Sequence, residues 1–212
     1  LEDAGERLAA EGRPADGLPL LLQAQAAFER NAQYEFDQRR VRRHIGDALA
    51  RLGRHGEALA MLQGAMAAFE AADPPGRQST AACCERLGRL LLDMGHTEAA
   101  RVQLQRVVDE AAVKTWSHVA LAQAGLARAA LARGALAEAQ ARSQQALATW
   151  DGLTGFRDVR MQAHLWRVRA AVLAAAGDVA GAQALRDQAL AAARRTDAPD
   201  SPTVTQPLGL GL

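Results

Sequence analysis

Lysine is almost missing from this 212-residue chain: Lys114 is the only one, and arginine carries nearly all the positive charge. Arginine bias beside this much alanine is what a GC-rich coding sequence produces, and it carries little functional weight. Neither charge is in excess. A formal net charge of +1 argues against a general nucleic-acid or membrane-surface binder, which shows a basic surplus. Aromatic residues make up 4% of the chain, and runs of β-branched residues are nearly absent, so little favours strands. The only cysteines, Cys83 and Cys84, are adjacent. Neighbouring helical positions point about 100° apart, which would strain a disulfide between them. No disulfide framework is available, and a reducing compartment is allowed. The expectation is cytoplasmic, with the periplasmic part of a membrane-anchored protein as the alternative. The most apolar stretch, Ala170 to Ala176, is short and closes at Gly177-Asp178. Neither a signal peptide nor a membrane span is read. The chain opens at Leu1 inside what reads as a repeat unit, so a piece of a longer protein is expected.

What is present is alanine, leucine and a period. Hydrophobic residues make up 49% of the chain, enough for a sizeable core, and the commonest are strong helix formers. Gly12, Gly53, Gly95, Gly134 and Gly177 recur at spacings of 41, 42, 39 and 43 residues. Seven residues before each stand Gly5, Gly46, Gly88, Ala127 and Ala170, all small. Four before stand Leu8, Leu49, Leu91, Ala130 and Leu173. Five after stand Gly17, Ala58, Ala100, Ala139 and Ala182; nine after, Leu21, Leu62 and Leu104, with Ser143 and Arg186 breaking the apolar pattern. Twelve after come Ala24, Ala65, Val107, Ala146 and Ala189. The pattern describes helix hairpins. A first helix ends at a left-handed residue, which is cheap only for glycine. The second helix folds back where small residues let two backbones approach, and leucines fill the seam. Successive hairpins then share one core.

This organisation resembles the tetratricopeptide repeat family across residues 1–196, most closely at Ile45-Gly46, Leu49, Gly53, Glu57-Ala58, Leu62 and Ala65. Trp166 stands where the family often has tryptophan, whereas Arg169, Ser143 and Arg186 depart from it. The usual unit is about 34 residues. The longer spacing resembles the kinesin-light-chain-like variant, a type found in bacterial signalling proteins. The resemblance implies an all-α, right-handed superhelical solenoid of about five antiparallel hairpins. Its expected units are 1–35, 36–75, 76–114, 115–154 and 155–195, followed by an irregular tail at 196–212 that contains Pro199, Pro202 and Pro207. Helices are expected near 1–11, 14–33, 36–52, 55–72, 77–94, 97–112, 116–133, 136–150, 156–176 and 178–195. Asp73 to Gly76 and Asp151 to Gly155 read as loops.

Motifs for catalysis are missing: there is no Gly-rich phosphate loop, HExxH, CxxC pair or nucleophile elbow. The five histidines lack ligand spacing. Catalytic residues, metal and cofactor are all expected to be none. Cys83 and Cys84 read as small packed residues. Trp116, Trp150, Trp166, Phe28, Phe69 and Phe156 read as packing between units.

The resemblance implies partner binding on the concave face formed by the first helix of each hairpin. Its groove positions fall on Arg40, Arg43, His44, Asp47 and Arg51, then Glu85, Arg86, Arg89 and Asp93, then Leu121 and Arg128, then His164 and Arg167. That is seven arginines against three acids. Residues 38–54 alone hold six arginines and one aspartate. A protein-interaction scaffold is expected, the regulatory, sensor or partner-docking part of a signalling protein. An acidic, phosphorylated or extended peptide would meet these arginines through bidentate contacts. The alternative is self-assembly through apolar faces at the array's ends or through the tail at Pro207 to Leu212. No specific nucleic acid and no membrane insertion are expected.

Overall fold

In the computed structural model, residues 1–72, 77–110, 117–154 and 158–205 are described. The loop expected at Asp73 to Gly76, the side chains of Trp116 and Phe156, part of the loop ending at Gly155, and the tail from Gln206 onward lie outside them. Among the described residues the chain is helical: α1 (Glu2–Ala10), α2 (Pro14–Phe28), α3 (Glu35–Arg51), α4 (His55–Glu70), α5 (Arg77–Asp93), α6 (Thr97–Asp109), α7 (Ser117–Ala132), α8 (Leu136–Asp151), α9 (Val159–Ala175), α10 (Val179–Thr196) and α11 (Pro202–Thr205). Odd and even helices up to α10 pair as hairpins, and α7 also packs against both α5 and α9. No helix among the described residues is long and apolar enough to cross a membrane.

Every hairpin turn is built in the same way. Gly12, Gly53, Gly95, Gly134 and Gly177 have φ between +73° and +86°, and no other residue type has positive φ among the described residues. The amide after each glycine donates back to the carbonyl five positions earlier: Arg13 to Leu8, Arg54 to Leu49, His96 to Leu91, Ala135 to Ala130 and Asp178 to Leu173, at 2.8–2.9 Å. This Schellman closure satisfies carbonyls that the helix end leaves free.

The small residues mark real backbone approaches. A Cβ on Gly17 would overlap the Gly5 carbonyl oxygen, so α1 and α2 touch backbone to backbone. In the next two units leucine fills the seam: a Cβ on Gly46 would stand 2.8 Å from Leu62 Cγ, and one on Gly88 2.5 Å from Leu104 Cγ. Leu104 also reaches α7, where a Cβ on Gly125 would stand 2.8 Å from its Cδ1. One fully buried side chain thereby ties the third unit to the fourth. At about 25 cal/mol per Å² of apolar area, buried leucines of this kind supply much of what holds the stack.

Two departures from the repeat pattern answer each other. Ser143 on α8 is buried and accepts from Arg169 Nη1 on α9 at 3.0 Å, while the same Nη1 donates to the Gln140 carbonyl at 3.2 Å. Trp150 is fully buried in the core shared by α7, α8 and α9, and Trp166 packs with Ala163, Ala189 and Ala192. Helix α2 stops at Phe28, short of the expected residue 33. Asn31 Oδ1 accepts from the Gln33 amide at 3.0 Å, and Gln38 Nε2 donates to the Phe28 carbonyl at 2.9 Å. These local bonds compete with helix propagation.

The stretch expected to be an irregular tail from residue 196 contains helix α11, which begins at Pro202. Proline suits a first helical position, where its missing N–H costs no hydrogen bond. Between α10 and α11 the chain returns to the first unit: the Ala198 amide donates to the Glu11 carbonyl at 3.0 Å. The first and last hairpins therefore meet.

Candidate functional site

Helices α1, α3, α5, α7, α9 and α10 and the segment after α10 surround a cavity of about 280 Å³. His44, Asp47, Arg51, Glu85, Arg86, Arg89, Asp93, Leu121, His164 and Arg167, all expected at the groove, lie on its wall. Arg40, Arg43 and Arg128 do not line it. Arg43 Nη2 lies 2.9 Å from His44 Nε2 and Arg128 pairs with Asp93, both on the wall, whereas Arg40 pairs with Glu2 and Asp37, which are not.

At one edge, Arg40 grips Glu2 of α1 with two hydrogen bonds of 2.9 and 2.7 Å and approaches Asp37 at 3.0 Å. Burial alone would raise the Glu2 carboxyl, but Arg40 and His44 outweigh it and hold the carboxyl at about 2. His44, only 5% exposed, lies between Glu2 Oε1 at 3.2 Å and Glu6 Oε1 at 3.3 Å. The cation–carboxylate match thus clips α1 onto α3.

In the centre, Asp47 accepts from Arg51 Nε at 3.0 Å and from Arg89 Nη2. Desolvation opposes its charge, yet Arg51, Arg89 and Arg86 hold it far below the usual carboxylate range. Glu85, almost fully buried, lies 3.4 Å from Arg89 and 3.9 Å from both Arg86 and His118. Arg128, also buried, donates to Asp93 at 2.8 Å.

Cations crowd elsewhere. Burial, then Arg86, lowers the Arg43 guanidinium to about 10. Burial, then Arg86, Arg43 and Arg89, pushes His118 down to about 3. Arg43 Nε, Arg86 Nε, Arg128 Nε and His118 Nδ1 are buried without a hydrogen-bond partner among the described residues.

Across the cavity, α9 contributes His164 and Arg167. Desolvation and then the charges of Arg167, Arg89, Arg128 and Arg51 drive His164 well below its ordinary value, so it is neutral at pH 7. Arg167 is also lowered, by desolvation first, and Asp197 is the anion that favours its charge. No carboxylate of the described residues lies within 4.0 Å of Arg167, unlike Arg51, Arg86 and Arg89.

Several wall residues were not foreseen: Glu6, Ala9 and Ala10 from α1, Asp158, Arg160 and Met161 at the start of α9, and Asp197 and Thr203. With them the wall holds six carboxylates, Glu6, Asp47, Glu85, Asp93, Asp158 and Asp197, against five arginines. The surplus of arginine expected along the whole groove is therefore largely neutralised from within, and it persists around Arg167. The turn-glycine register places Glu6 in line with Asp47, so the acids of α1 were readable by extending it to the first unit.

A stack of glycine-turned hairpins around a charged concave cavity defines a helical-repeat solenoid. Residues 37–109 match the family described as Tetratricopeptide repeat. Among solved structures the chain is similar to BtubC (BKLC) from P. vanneervenii, with TM-score 0.63 and 19% identity over 87% of this chain and 75% of that one. It is also similar to a candidate kinesin light chain of Podosopora anserina with nearly identical TPR-like repeats, with TM-score 0.60 and 23% identity over 92% and 94%. A single-substitution form of that protein gives 0.62 and 23% over 92% and 93%. No curated protein matches the sequence significantly. The match to the tetratricopeptide repeat model is confined to residues 37–109, and the fold of the chain is similar to that of kinesin-light-chain-like TPR solenoids. Such repeats are in general non-catalytic scaffolds for protein–protein interaction.

Proposed function

We propose that this array is the partner-docking region of a larger signalling protein and takes an acidic segment of its partner into the concave cavity. Arg167 carries the reading. It stands on the cavity wall, close enough to Arg51 and Arg128 to feel their charge, without a carboxylate within ion-pair distance among the described residues. An incoming carboxylate or phosphate completes what Asp47, Glu85 and Asp93 already do for the neighbouring arginines. A cavity of about 280 Å³ sits at the lower end of ligand pockets, so it accepts an acidic side chain or chain end, with the rest of the peptide outside. A charge-assisted hydrogen bond contributes roughly 1.5–3 kcal/mol, or about tenfold to a hundredfold in affinity.

The test is fluorescence anisotropy with a labelled Asp/Glu-rich peptide and its Asn/Gln counterpart. The acidic peptide should bind and weaken as salt rises, with the amide peptide far weaker. Equal binding of the two would remove the acidic reading.

A further inference from the structure

The segment after α10 is held more firmly than its sequence suggests, and it forms part of the cavity wall. The Ala198 amide donates to the Glu11 carbonyl at 3.0 Å, at the turn between α1 and α2. Ser201 is 1% exposed and fits against Gly12 so closely that a Cβ there would overlap its own. Arg160, at the start of α9, ties the two ends together. Its Nη2 donates to the Thr196 carbonyl at 2.8 Å and lies 3.7 Å from Glu11 Oε1, while its Nε donates to Asp197 Oδ1 at 3.2 Å. Asp197 in turn accepts from Thr203, and Thr205 Oγ1 donates to the Ser201 carbonyl at 3.0 Å. Thr196, Asp197 and Thr203 line the cavity beside Glu6, Ala9 and Ala10.

We propose that residues 197–205 are a strap that shuts the concave cavity by bridging the last hairpin to the first, and that a partner enters when the strap lifts from the α1–α2 turn. The inference rests on the cavity being the docking site. Its contacts suit a device that opens: one backbone hydrogen bond to the α1–α2 turn, one small side chain against a glycine, and a partly exposed ion-pair link through Arg160, with no large apolar anchor among the described residues. Segments with few buried apolar contacts open at the low end of a protein's stability range. In the closed state only a fraction of molecules is competent to bind, which lowers apparent affinity by that fraction.

The test is acylation of histidines by diethyl pyrocarbonate at pH 7, mapped by peptide mass. His164 faces the cavity; exposed His96 is the internal reference. Ser201→Phe cannot sit against Gly12. Ala198→Pro deletes the amide that reaches Glu11, and Asp197 already has the extended backbone that a following proline requires (φ −110°, ψ 159°). Asp200→Ala, an exposed change in the same segment, is the control. The His164/His96 rate ratio should be low in the wild type and in Asp200→Ala, and should rise about tenfold in the two strap variants. The buried thiols of Cys83 and Cys84 should stay unreactive in all of them, which reports an intact fold. An unchanged ratio in Ala198→Pro or Ser201→Phe with the thiols still protected overturns the strap. If one variant loses thiol protection, the other decides. The acidic peptide is then added: failure to bind any form sinks the docking proposal, while the acylation ratio decides the strap by itself.

Discussion

Replacing Gly64, Gly53 and Gly88 by alanine, one at a time, should move stability in different directions, because each glycine exists for a different reason. Gly64 lies inside α4, and a Cβ there meets nothing within 4 Å. Alanine at such a position stabilises a helix by about 0.5–1 kcal/mol. Gly53 also has open space around it, but its φ is +73°. Only backbone strain opposes alanine there, at a cost of about 1–2 kcal/mol. Gly88 has ordinary helical φ, but its Cβ would stand 2.5 Å from Leu104 Cγ and 2.7 Å from Cδ2, with the Ala100 carbonyl at 3.3 Å. Leu104 is fully buried and its other side is filled by Gly125, so it has nowhere to retreat. Overpacking of this kind costs about 1–3 kcal/mol, which cancels or exceeds the gain of about 0.5–1 kcal/mol in helix propensity and leaves a net loss of up to about 2.5 kcal/mol. Urea unfolding followed by circular dichroism reads each change. With a slope of about 2 kcal/mol/M, a change of about 1 kcal/mol shifts the midpoint by about 0.5 M. Stabilisation by Gly88→Ala equal to that by Gly64→Ala would refute the close approach of α5 and α6. Stabilisation by Gly53→Ala would refute the left-handed turn.

Three further outcomes follow from particular groups. The folded-state value of Glu2 is held at about 2, below its ordinary 4.5. Its stabilisation is therefore present above pH 4.5 and is lost as pH falls from 4.5 towards 2. Glu2→Gln should flatten that part of the stability–pH curve and cost roughly 1.5–3 kcal/mol at about pH 7; an unchanged curve would count against the clip. Cys83 and Cys84 are buried, and desolvation raises both thiols to about 11. A thiol reagent at pH 7 should leave them untouched in the native protein and titrate both in urea; rapid native reaction would contradict their burial. A double-mutant cycle on Ser143→Ala and Arg169→Leu should show coupling of about 0.5–1.5 kcal/mol, and additive effects would show that the two do not depend on each other.

The sequence made the hairpin stack legible because one residue type carries a severe conformational demand. Glycine at a left-handed turn has few substitutes, so the five turn glycines stand out against an alanine-rich background and set the register for everything else. The buried positions of Leu21, Leu62 and Leu104 followed from that register. Ser143 and Arg169 looked like faults because a helical period describes one helix, whereas their bond joins two neighbouring units. Helix α2 was drawn too long because Asn31 and Gln38 end it through side-chain bonds that no period encodes. The concave face was legible in part. The groove positions that the family resemblance implies, mapped onto the glycine register, include His44, Asp47, Arg51, Glu85, Arg86, Arg89, Asp93, His164 and Arg167, which line the cavity. Counter-charges supplied by α1 and by Asp197 depend on the first and last units meeting, a tertiary fact invisible to local pattern. Prolines after α10 read as helix breakers, yet Pro202 starts α11.

The most direct test of the concave-face account compares Arg167→Ala with Arg40→Ala against the acidic peptide. Arg40 is already engaged by Glu2 and Asp37, outside the cavity wall, whereas Arg167 faces the cavity without a close carboxylate among the described residues. The account predicts that Arg167→Ala weakens binding at least about tenfold, while Arg40→Ala leaves affinity within about twofold. Wild-type affinity in Arg167→Ala, with a loss confined to Arg40→Ala, would contradict it and place the acidic site outside the cavity.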